Sequence, residues 1–179
     1  MDAFAELDLP RQPAVDRDQL SRQFDALSRQ CHPDAGGDTA AFTRLAQARH
    51  LLESTARRLR HLVELTTPTG KLDGPLPAAC VTLFGRVGPA LQIASTVHQD
   101  YQAAKSSLGR ALLTERVLAA RKSLESIAGE IGRRLSEMEA EFGAWDGSTE
   151  TLTHWARYAA FLEKWQSQVR AALSELTLS

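Results

Sequence analysis

Between Thr66 and Pro77 the chain reads Thr-Thr-Pro-Thr-Gly-Lys-Leu-Asp-Gly-Pro-Leu-Pro, with three prolines and two glycines in twelve residues. No helix runs through that density, because each proline removes an amide donor and each glycine costs about 1 kcal/mol against alanine in a helix interior. On both sides of it, however, apolar residues recur every three or four positions, the spacing that lines up one face of an α-helix. The expected fold is therefore all-α. It comprises an N-terminal module of short helices over residues 1–65, a linker at 66–77, and a bundle of long helices over 78–179.

In the first stretch Leu20, Phe24, Leu27 and Cys31 fall on one helical face, with Cys31 read as a small core residue. Asp16 followed by Gln19 has the form of a capping box, so the helix is placed from Asp16 to Cys31 or His32. Pro33 stops it, since the residue before a proline is driven out of the α region, and Gly36-Gly37 lets the chain reverse. Asp38 is placed to cap a second helix carrying Phe42, Leu45, Ala48, Leu52 and Leu59. Two antiparallel amphipathic helices then present His32-Pro33-Asp34 in an exposed polar turn.

After the linker one pattern runs from Ala78 through Leu83, Phe84, Val87, Leu91, Ile93, Ala94 and Val97 to Tyr101 and Leu108, with a kink or break expected at Gly88-Pro89. A second spans about Thr114 to Trp145 through Val117, Leu118, Leu124, Ile127, Ile131, Leu135, Met138 and Phe142. Gly129 and Gly132 inside it mark either a close helix contact or a tolerated weakness. Asp146-Gly147-Ser148-Thr149 is a turn, and a last helix reaches Leu176 along Leu152, Trp155, Tyr158, Phe161, Leu162, Trp165, Val169 and Leu173. Such faces are buried most economically against one another, as an antiparallel three-helix bundle.

Composition narrows the function classes. A net charge of -1 and a pI near 6.5 argue against a nucleic-acid or anionic-membrane partner, which needs a basic field. No apolar run approaches the roughly 18 residues that span a bilayer, and acidic residues stand where a signal peptide needs an apolar core, so a soluble cytoplasmic protein is expected. Cys31 and Cys80 are too few and too far apart for a disulfide scaffold or a zinc site. The five histidines, His32, His50, His61, His98 and His154, form no metal-spaced pair with a carboxylate, and neither cysteine has an activating base nearby in sequence. No metal, cofactor or enzymatic activity is expected.

The run Leu20 to Cys31 leading into His32-Pro33-Asp34, with the loop glycines and both apolar stripes, resembles the J domain, the module that stimulates ATP hydrolysis by DnaK-type heat-shock chaperones. The likeness is closest to HscB, the J-protein family of iron-sulfur cluster assembly. It rests on Phe4 to Pro10 as a short first helix, on Leu45-Ala46-Gln47-Ala48 with Leu52 and Arg58, and on Leu62-Val63-Glu64-Leu65, where a helix continues past the usual J-domain end. The resemblance implies that His32, Pro33 and Asp34, assisted by Arg22 and Arg29, contact the chaperone. General J domains carry basic residues where Asp25 and Ala26 stand, and often a lysine or arginine where Ala35 stands, so electrostatic steering is weakened. An adaptor with an inactive loop is the alternative.

HscB also joins its J domain to a three-helix bundle that holds an iron-sulfur scaffold protein. Tyr158 to Trp165 resembles the terminal helix of that family, with Phe161 on the phenylalanine that contributes to scaffold binding. In the first bundle helix Leu83, Phe84 and Val87 are the expected apolar client contacts, while the acidic residues that the family places there are absent.

Overall fold

The computed structural model describes residues 1–32, 37–67, 72 and 78–177. Among them it is all-helical: α1 (Ala3–Glu6), α2 (Arg17–Cys31), α3 (Thr39–Glu53), α4 (Thr55–Thr66), α5 (Ala78–Ala103), α6 (Ser107–Glu141) and α7 (Thr149–Glu175), with a 3-10 turn at Phe142–Ala144. The chain divides into two compact units. The first joins Met1–Pro75 to Met138–Ala160, and the second joins Leu76–Glu137 to Phe161–Ser179.

Capping chemistry sets the boundaries of the first unit. Asp2 accepts from the amides of Phe4 and Ala5 at the start of α1, Asp16 from Asp18 at 2.9 Å for α2, and Asp38 from Ala40 at 2.8 Å for α3. Each side chain supplies an acceptor to amides that a helix start leaves without partners. α3 packs on α1, α2 and α4. It runs antiparallel to α2, since the Arg49 guanidinium lies 4.6 Å over the Phe24 ring while Phe42 meets His32.

The stripe from Phe42 to Leu59 belongs to two helices rather than one. Ser54 takes an extended conformation (φ -90°, ψ 129°), ends α3 and caps α4 through a bond from the Arg57 amide. The last carbonyls of α3 then need new donors. Arg57 supplies one to His50 O at 2.9 Å, and the buried Arg58 another to Leu52 O at 2.8 Å. Arg58 also bonds Pro13 O at 2.8 Å, which pins the segment before α2. Thr55 donates to Glu139 of α6, and Phe142 packs on Trp155 with ring centroids 4.9 Å apart, so the turn between α6 and α7 has its own apolar seat within this unit. At its tip Gly147 sits at φ 86°, a conformation that glycine adopts at little cost.

In the second unit three long helices bury one another. Arg86 pairs with Glu130, and Arg116 with Asp100, so a fourteen-residue advance along α5 matches a fourteen-residue retreat along α6 and the two are antiparallel. Arg121 of α6 reaches the carbonyls of Leu173 on α7 and of Leu176 just past its end. Leu83, Val87, Ala94, Val97, Leu124, Ile127, Ile131, Leu162 and Val169 form the core.

Several details differ from the pattern. α5 passes Pro89 as one helix; the proline and Gly85, whose carbonyl loses its donor, are both exposed, so the vacant acceptor is not buried away from solvent. α5 ends at Ala103 and Leu108 belongs to α6, whose start is capped by Ser106 Oγ accepting from the Gly109 amide at 3.1 Å. Ile93, Leu108 and Leu118 are exposed rather than core. A Cβ added at Gly129 or Gly132 would meet nothing within 4 Å, so these glycines mark a tolerated weakness and not a close helix contact. Cys31 is half-buried, its thiol bonding Leu27 O at 3.4 Å, while Cys80 is buried.

Candidate functional site

His32 terminates α2. Its backbone (φ -64°, ψ 130°) is the extended form that the following proline demands, and its side chain is exposed. The ring stands edge-on to Phe42 at the start of α3, with centroids 5.3 Å apart and planes at 73°. The loop returns at Gly37, whose amide donates to His32 O at 3.0 Å. Pro33, Asp34 and Ala35 lie outside the described residues.

Along the free side of α2, Arg22, Asp25, Ala26 and Arg29 are all exposed and fall at helical spacing on one face. Arg22 is 3.8 Å from Asp16, a loose exposed pair of little energetic weight. Arg29 lies in the last turn, where a cation is favoured by the helix dipole. The face thus carries two cations flanking one carboxylate and one methyl group.

The expected client contacts separate. Leu83 and Val87 are 0% and 1% exposed, so they hold the bundle together from inside and offer no surface to a partner. This corrects the reading of that run as a single apolar patch: helical spacing turns two of its three side chains inward. Phe84 is 64% exposed and Phe161 is half-buried, and both rings rest on the buried Trp165, at 6.2 Å and 5.7 Å between centroids. Val81, also exposed, stands one turn before Phe84. Sequence reasoning missed Trp165 as the base of this aromatic cluster and Val81 as its extension. The three- and four-residue steps from Phe161 to Trp165 and from Val81 to Phe84 were the available signal.

Two carboxylates titrate abnormally, and neither belongs to these surfaces. Burial works against ionisation of Asp2, but the hydrogen bond and charge of Arg11 and the amides of Ala5 and Phe4 outweigh it and lower its pKa. Glu130 is lowered mainly by its hydrogen bond from Arg134, with Arg86 adding to it against burial. Among the described residues no group of histidine, cysteine and carboxylate side chains could hold a metal, and no helix is long and apolar enough to cross a membrane.

No protein-family model and no curated protein sequence matches this chain. A solved structure does: chaperone HscB from Vibrio cholerae is similar with a TM-score of 0.58 at 19% identity, over 99% of this chain and 100% of that one. At that identity the likeness is one of fold, extending through both units.

Proposed function

We propose that this chain is a J-type co-chaperone that stimulates ATP hydrolysis by a DnaK-type chaperone through His32, Pro33 and Asp34. The observation that carries the reading is His32 held at the exposed end of α2, against Phe42 and ahead of Pro33-Asp34 in sequence, in a fold like that of HscB. The chain needs no active site of its own for this. It acts by binding the hydrolysing conformation of its partner more tightly than the alternatives and so shifting that partner's population. Arg22 and Arg29 supply the positive charge of the docking face.

The bundle presents a client, for which an iron-sulfur scaffold protein is the candidate. Phe84 and Phe161 over Trp165, with Val81, form the contact, and the work is cytoplasmic. One observation favours a second reading, an adaptor with an inactive loop: Asp25 and Ala26 lie exposed in the middle of the free face of α2, where a basic pair would attract an acidic chaperone surface.

Immobilised full-length protein titrated with a purified DnaK-type chaperone separates the two. Binding that requires ATP and is lost in Asp34→Asn supports the co-chaperone. Binding indifferent to nucleotide and to the variant, or none, overturns it.

A further inference from the structure

His32 is held by two groups outside the His-Pro-Asp tripeptide, one at its backbone and one at its ring. On the backbone side, Gly37 N–H donates to His32 O at 3.0 Å. That approach leaves no room for a side chain: a Cβ on Gly37 would lie 2.3 Å from the carbonyl carbon of Cys31, 2.6 Å from its oxygen and 2.7 Å from its Cα. All three atoms are backbone of the last turn of α2 and cannot rotate away. On the ring side, Phe42 holds the imidazole edge-on at 5.3 Å.

We propose that Gly37 is a positioning residue for His32 in chaperone stimulation, fixing it through its carbonyl while Phe42 fixes its ring. The inference rests on the co-chaperone reading above. Relieving a 2.3 Å contact to ordinary van der Waals separation displaces Gly37 from the end of α2 by ~1 Å, a misplacement of the size that costs positioned groups on the order of tenfold to a hundredfold in rate. The displacement falls on Gly37, which lies outside both α2 and α3, and not on the buried side chains that hold those helices. The placement of His32 is therefore expected to be separable from the stability of α2 and α3.

The test is ATP turnover of a purified DnaK-type chaperone with full-length wild type, Gly37→Ala and Asp34→Asn, alongside thermal melts and the His32 imidazole proton resonances. Gly37→Ala is expected to lose roughly tenfold in maximal stimulation, to melt like wild type, and to shift the His32 resonances as the ring leaves Phe42. A second pair guards against misfolding: Phe42→Leu loses stimulation and Phe42→Tyr, which keeps the ring, restores it. Full stimulation by Gly37→Ala, or Phe42→Leu as active as Phe42→Tyr, overturns the inference. Failure of the co-chaperone reading looks different, since wild type itself then gives no stimulation, and the inference falls with it.

Discussion

In the first unit the buried polar side chains among the described residues, Thr55, Arg58 and His61, all lie on α4, and each bonds a group from another segment. His61 Nε2 accepts from the Ala3 amide at 3.1 Å and its ring stacks on Phe4; Arg58 ties Pro13 to Leu52. Among the described residues of the second unit the fully buried side chains are apolar, and its ion pairs are exposed or, at Arg134 and Glu130, only part-buried. The contrast follows from length. Short helices meet little apolar area and leave many end groups without partners, so directional bonds must fix their geometry, whereas helices of 26 and 35 residues bury enough surface to be held by volume.

Breaking the polar pins is expected to cost most. Arg58→Met removes the donors to two buried carbonyls and should destabilise the protein by about 4 kcal/mol in denaturant titrations, with Arg58→Lys restoring little because a single ammonium cannot reach both. In the bundle, Leu83→Ala should cost about 3 kcal/mol as a cavity, yet Leu83→Met should cost less than about 1.5 kcal/mol. If the conservative change at Arg58 is tolerated as well as that at Leu83, the two units do not differ in the way described. His61→Leu, which leaves the Ala3 amide without its acceptor, should cost about 1 to 2 kcal/mol and release α1 first, visible as faster amide exchange there.

Phe84→Ala sharpens the comparison from the other side. The ring is mostly exposed, so its loss should change stability by no more than about 0.5 kcal/mol, while affinity for a bound scaffold should fall by about 1 to 2 kcal/mol, with little dependence on salt. A large drop in melting temperature with unchanged affinity would make Phe84 a structural residue. The smallest effect is acidic. Asp2 and Glu130 titrate below their ordinary values of 3.8 and 4.5, so the stability they contribute is present above about pH 4.5 and lost as pH falls through their lowered values. Glu130→Gln should flatten that acid limb.

Helix existence, caps at Asp16 and Asp38, and the turn at Asp146 to Ser148 were legible because they depend on local spacing and local hydrogen bonds. The division at Ser54 was not, since a serine caps a helix only when the carbonyls it strands find donors, and those donors, Arg57 and Arg58, lie beyond the break. Leu83 and Val87 were misread for a related reason. Spacing tells which side chains share a face, but with helices packed on two sides it does not tell which face remains open. The contact between Gly37 and Cys31 left no trace in the pattern beyond a second glycine.

The central claim is that the exposed end of α2 drives a partner's ATP hydrolysis. Single-turnover hydrolysis by a purified DnaK-type chaperone, measured with wild type, His32→Gln and Asp34→Asn at equal concentration, tests it most directly. Wild type is expected to accelerate turnover, and both variants to lose the acceleration while melting within about 0.5 kcal/mol of wild type, as surface changes do. Equal acceleration by all three, or none by wild type, would contradict the account.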